Sequence, residues 1–119
     1  MQAHCLSKPG AWPDNPWDHE HPVIKVGPGE RGKIFAFLRA DGVGVKGGPS
    51  REAADEWLER FPDDASVMAY IGRSGWNDLA FDGAIADDEL EEAVDESYRL
   101  VVSRLPAKLR PAGWDAPAT

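Results

Sequence analysis

Cationic side chains next to an indole and a carboxamide are the groups with which proteins hold phosphates, stack on bases and reach base edges. Residues of these types stand at Lys25, Lys33, Lys46, Arg51, Arg73, Trp76 and Asn77. Lys25, Lys33 and the nearby Arg39 fall on predicted strands, and Lys46 and Arg51 bracket the start of a predicted helix. Arg73, Trp76 and Asn77 sit where an irregular loop enters a strand. The chemistry they offer is phosphate neutralisation, with Asn77 as a reader of base edges. The bland reading is that scattered lysines belong to any surface and that Trp76 serves the core.

Other chemistries are weaker on the same page. Two G-x-G-x-x-G matches occur, at Gly27 to Gly32 and Gly42 to Gly47. A dinucleotide fingerprint needs strand, glycine turn and helix in a parallel unit, whereas the first match leads into a strand and the second overlaps one. His19 and His21 flank Glu20, and in an extended segment two residues apart point the same way, so both imidazoles could meet a metal, with Asp18, His4 and Cys5 as further donors. No metal-site spacing accompanies them, and we assign none. The acidic run from Asp87 to Glu96 reads as the solvated face of a helix. None of the serines lies in a nucleophile elbow, and Cys5 beside Leu6 reads as packed, so no catalytic residue is assigned.

The elements that must position these groups follow from periodicity. Leu90, Val94, Tyr98, Val101 and Leu105 form one apolar stripe over Asp87 to Leu105, with Ala93, Ser97 and Val102 beside it. Asp87 is the expected cap and Asp95–Arg99 an i, i+4 pair, and Pro106 ends the helix. A second helix starts at Ser50 as its cap, with Ala54, Trp57, Leu58 and Phe61 on its stripe, and Pro62 stops it. A short helix is expected over residues 2–8, facing Cys5 and Leu6 inward. Trp12 to Trp17, dense in proline, allows only an edge strand or extended loop. Strands are expected at Val23 to Val26 and at Lys33 to Ala40, with Ile34, Ala36 and Leu38 on one face and Phe35 and Phe37 on the other. Asp41-Gly42 predicts a type I′ hairpin turn into GVGVKGG. Residues 63–75 read as irregular, and Trp76 to Phe81 as a strand. The sum is an α+β domain, an antiparallel sheet with helices packed on it, in the order α-β-β-β-β-α-β-α over residues 1–110, followed by a flexible tail at 111–119.

Composition narrows the partners. The net charge of −8 argues against nonspecific nucleic-acid binding, but it is unevenly distributed. Residues 1–51 sum to +2, residues 52–96 to −13 and residues 97–119 to +3. The acidity therefore belongs to the helical segments and leaves room for a cationic face. The single cysteine allows no internal disulfide, no apolar run is long enough to cross a bilayer, and the first residues lack the pattern of a signal peptide. The expected compartment is the cytoplasm.

Several segments, taken together and in order, resemble the MmcQ/YjbR-like family. They are Cys5-Leu6-Ser7-Lys8-Pro9-Gly10-Ala11, Pro22-Val23-Ile24-Lys25-Val26, Lys33-Ile34-Phe35-Ala36, Val45-Lys46, Tyr70 with Trp76-Asn77, and Asp95 to Val102 followed by Leu105-Pro106. The resemblance implies a CyaY-like, frataxin-related fold and a DNA-binding role. By position, Lys46 is the lysine ending the fourth strand. The segment before the tryptophan, usually basic and with a histidine, is here Gly72-Arg73-Ser74-Gly75, in which only Arg73 is charged.

The resulting expectation is a cytoplasmic, non-enzymatic DNA-binding protein without a cofactor, using the sheet and loop face that bears Lys25, Lys33, Lys46, Arg51, Arg73, Trp76 and Asn77. The alternative is a protein-interaction module whose acidic helices engage a basic partner. Metal binding by analogy with frataxin-like folds rests on fold alone.

Overall fold

The computed structural model describes residues 1–116. Its core is one antiparallel sheet of six strands in the order β1-β2-β3-β4-β6-β5. The strands are β1 (Ala11–Asp14), β2 (Val23–Val26), β3 (Lys33–Leu38), β4 (Gly42–Lys46), β5 (Ala65–Val67) and β6 (Trp76–Ala80). Three helices, α1 (Gln2–Leu6), α2 (Arg51–Arg60) and α3 (Asp87–Ser103), complete an α+β domain. The expected order lacks one strand. Ala65–Val67, expected to be irregular, pairs with β6 as an outer edge, Ala65 opposite Leu79 and Val67 opposite Asn77. Three residues carry too little periodicity to be seen in a sequence, and the ladder of β6 supplies the missing partner.

α3 lies across β3 and β4 and buries Leu90, Val94, Tyr98 and Val101 of the expected stripe, with Val102 beside it. Leu105, just beyond its end, is buried as well. Two polar details differ from expectation. Ala86, not Asp87, is the N-cap residue and offers no side-chain cap; Asp88 Oδ1 accepts from Glu89 N–H at 3.0 Å, and Asp87, Asp88 and Glu89 otherwise act on the first turn through charge. Asp95 does not pair with Arg99. Arg99 bonds Glu96, and Asp95 turns inward to His4 Nε2 at 2.7 Å and to Lys8, tying the short α1 to α3. Beyond the helix, Arg110 donates to the carbonyls of Leu105 and Ser103 and satisfies the end of the turn. α2 behaves as read: Ser50 Oγ accepts from Ala53 N–H, and Ala54, Trp57, Leu58 and Phe61 face the core over β5 and β6.

β3 departs from simple alternation. The register between β2 and β3 shifts by one residue, with Lys25 opposite Ile34 and Ile24 opposite Ala36, so Phe35 is an extra, bulged residue. Phe35, Ala36 and Leu38 are therefore the buried positions, and Ile34 and Phe37 are only half-buried. Phe35 packs edge-on to Tyr98 of α3, while Phe37 meets Trp76 at 5.5 Å. The expected split, Phe35 with Phe37, fails because a bulge shifts the two-residue period. The hairpin into β4 is present, but Arg39 N–H donates to the Gly42 carbonyl, making Ala40 and Asp41 the central residues. Neither Asp41 nor Gly42 has positive φ, so the turn is not type I′.

The chain past residue 110 packs at first. Pro111 sits against Gly10, and Trp114 is half-buried on the core with the Arg110 guanidinium 5.7 Å from its ring. Residues 117–119 of the expected tail lie outside the described residues. No helix among the described residues is long and apolar enough to cross a membrane.

Candidate phosphate-binding cleft

The ladder between β3 and β4 runs only from Ala36–Val45 to Leu38–Val43. One step further, where Phe35 and Lys46 would face each other, a helix side chain stands in for the missing bond. Ser97 Oγ accepts from Lys46 N–H at 2.9 Å and donates to the Phe35 carbonyl at 2.7 Å, all of it buried. The strands separate at this end, and the gap between them opens as a cleft of about 310 Å³. Its walls are Lys33, Ile34, Lys46, Ser74, Trp76, Val101 and Arg104. Three cations and an indole line it, and no carboxylate does.

Lys46 is the unusual member. Its side chain lies at the end of β4 with the residue 4% exposed, and its ammonium donates to the Ser74 carbonyl at 2.6 Å. Among the described residues no carboxylate pairs with it within 4.0 Å, although its flank also borders Glu92, Asp95 and Glu96 in a second cleft. Asp95 is engaged by His4 and Lys8, and Glu96 by Arg99. Burial, and then the neighbouring Arg104 guanidinium, hold Lys46 below the ordinary lysine range. A buried cation without an anion is costly, and an anion entering the cleft relieves that cost. Lys33 and Arg104 are exposed at the rim and form no ion pair among the described residues, so both are free to meet it.

The seven residues singled out by type do not act together. Lys33, Lys46 and Trp76 line the cleft, and Arg73, exposed, sits one residue from Ser74 on the 3₁₀ turn Gly72–Ser74. Lys25 is elsewhere: it bonds Asp14 at 2.7 Å and lies over the Trp12 ring. Arg51 and Asn77 are structural. Arg51 donates from Nε to Asp55, from Nη1 to the carbonyls of Gly72 and Trp76, and from Nη2 to Asn77 Oδ1. Asn77 is 0% exposed, and its Nδ2 donates to the Ala54 carbonyl. A base edge has no route to it, so its expected reading role is corrected to a brace between α2, β6 and the loop before it. Arg104 and Ser97 were missed. Ser97 reads from the sequence only as a neighbour of the stripe and Arg104 as one more surface cation, since nothing in the local sequence reveals which strand ends a helix covers.

The histidines lead to no site. Asn15 holds the loop by accepting from His19 N–H and donating to the His19 carbonyl, and the His19 ring lies against Trp17. Among the described residues no cluster of three His, Cys, Asp or Glu is poised for a metal. Neither glycine motif opens a helix: Gly27 to Gly32 passes through a 3₁₀ turn into β3, and Gly42 to Gly47 is β4 and the residue after it.

A single antiparallel sheet covered by helices, with a cationic gap between two of its strands, defines a small α+β domain. The family described as YjbR matches residues 6–100, and the chain belongs to that family. It is 28% identical over 111 residues to the "Uncharacterized protein YjbR" of Escherichia coli strain K12, covering 90% of this chain and 88% of that one, and matches the O157:H7 protein equally. The crystal structure of Deinococcus radiodurans protein DR2400, with the domain DUF419, superposes with a TM-score of 0.81 at 22% identity, over 98% of this chain and 86% of that one. That likeness is one of fold.

Proposed function

We propose that the protein is a cytoplasmic, non-enzymatic DNA-binding protein that takes backbone phosphates into the cleft between β3 and β4. The observation that carries this reading is the buried Lys46, in no ion pair among the described residues and flanked by Lys33 and Arg104, in a chain of net charge −8. A cation at the floor held by a carbonyl but by no carboxylate, and two at the rim, match a phosphate diester and its neighbours. Trp76 walls the cleft as an aromatic surface. The two-layer arrangement, with α1 and α3 on the same side of an antiparallel sheet, supports the CyaY-like reading of the fold and goes with this proposal.

The reading is tested by fluorescence anisotropy of labelled DNA against salt. Affinity falls steeply as salt rises, and a double change of Lys33→Ala and Arg104→Ala flattens the slope by about two phosphate contacts without loss of fold. Lys46→Met removes the floor contact and leaves the free protein no less stable, because a charge that folding disfavours has gone. Binding to the wild type weakens as pH rises through the depressed Lys46 range, below the pH at which an ordinary lysine loses its proton. No binding at about 50 mM salt would sink the proposal. A basic protein retained from nuclease-treated lysate, with DNA ignored, would favour the acidic-helix reading instead.

A further inference from the structure

Between β5 and β6 the chain makes a tight excursion whose most prominent side chain has no part in the fold. Tyr70 is wholly exposed, at 101% of its reference area, and its backbone has φ +66°. Ile71 N–H donates to the Ala69 carbonyl at 2.7 Å, so Tyr70 is the centre of a γ-turn of the positive-φ kind, which is rare and strained for a residue bearing a Cβ. Glycine would hold this geometry without strain, yet the chain places its most exposed aromatic there. Burial gives nothing back, and no hydrogen bond from the phenol offsets the strain among the described residues. A cost localised at one exposed side chain points to a use for that side chain.

The inner side of the loop is fixed. Met68 N–H donates to the Trp76 carbonyl, Arg51 to the Gly72 carbonyl, and Ser74 Oγ to the Ile71 carbonyl, while Lys46 holds the Ser74 carbonyl. Ser74 is also a wall of the cationic cleft, so the loop bearing Tyr70 is continuous with the proposed phosphate site. Val67 and Ile71 expose further apolar area beside it, and Arg73, exposed, has no ion pair among the described residues. The result is an exposed ring on a braced loop beside a cationic rim.

We infer that Tyr70 is a base-stacking platform and that the preferred ligand of this site is single-stranded nucleic acid. The inference rests on the phosphate-binding reading above and adds the strandedness of the ligand. A ring projecting on a loop can stack on a base only where the base face is free, and a duplex hides those faces against one another. Phosphates in the cleft and a base on Tyr70 then divide the work between affinity and strand selection.

The test compares a fluorescein-labelled oligo(dT) with a duplex of equal length, by anisotropy at low salt, for the wild type, Tyr70→Gly and Tyr70→Trp. Wild type binds the single strand more tightly. Tyr70→Gly lowers that affinity about tenfold or more, leaves duplex affinity unchanged and does not lower the unfolding midpoint, because glycine accepts the positive φ. Tyr70→Trp keeps the preference. Equal wild-type affinity for the two forms, or a Tyr70→Gly protein that binds oligo(dT) as the wild type does, overturns the stacking role while leaving the phosphate cleft standing. Absence of binding to either form overturns both.

Discussion

Ser97 shows how much a single hydroxyl can hold. It replaces the hydrogen bond that β3 and β4 would otherwise make between Phe35 and Lys46, and it does so from a helix 51 residues further along the chain than Lys46. Ser97→Ala leaves a buried N–H and a buried carbonyl without partners and costs about 1–3 kcal/mol in urea unfolding. DNA affinity falls with it, because Lys46 loses its backbone tether. A full retention of stability would mean that the strands can close on each other unaided. Tyr98 is anchored in a comparable way, its hydroxyl donating to the Pro9 carbonyl at 2.6 Å, and burial pushes its phenol up to about 12. Cys5, buried beneath the same helix, has its thiol raised by burial to about 11 and serves as packing.

At the scale of elements, the cleft exists because neighbouring strands stop agreeing. The bulge at Phe35 turns the start of β3 out of register, and β4 follows its own ladder with β6 down to Lys46–Trp76. The loop that walls the opening is closed by Gly75, which lies at φ +101° and accepts from Gly47 N–H at 2.7 Å. A Cβ there would come within 2.7 Å of the Gly48 carbonyl oxygen and 2.9 Å of that of Ser50. Gly75→Ala is therefore both strained and crowded. It lowers stability by about 1–3 kcal/mol and displaces Ser74, so that single-strand and duplex affinities fall together, in contrast to Tyr70→Gly. Unfolding curves and anisotropy on the same preparation separate the two variants.

For the whole molecule, charge and termini decide what surrounds the cleft. The acidic residues gather on α2, α3 and their connections, and some are paired within the fold: Asp55 with Arg51, Glu89 with Arg60, Glu96 with Arg99. Lys33, Lys46 and Arg104 remain unpaired among the described residues where the strands part. The carboxy-terminal segment covers the region around α1 and β1, with Pro111 on Gly10 and Trp114 on the core. Removing residues from Pro111 onward strips this cover and lowers stability by about 1–2 kcal/mol, read as a lower thermal midpoint, with DNA affinity unchanged. An unaltered midpoint would show that the domain is complete at residue 110.

The amphipathic stripe of α3, the Ser50 cap of α2 and the strands Val23–Val26 and Trp76–Ala80 were legible in the sequence, because each follows from a local period or a local cap. So was the family, through the order of short segments no one of which is specific. The grouping of the candidate site residues was not. Residue type nominated Arg51 and Asn77 as readily as Lys46, and only packing shows that the first two are spent on carbonyls and on each other. β5, the bulge at Phe35 and the part played by Arg104 likewise depend on partners distant in the chain. A hydrogen-bond donor carries the same letter whether it braces a loop or faces an empty cleft, and which of the two it does is decided by the groups that tertiary folding brings within reach.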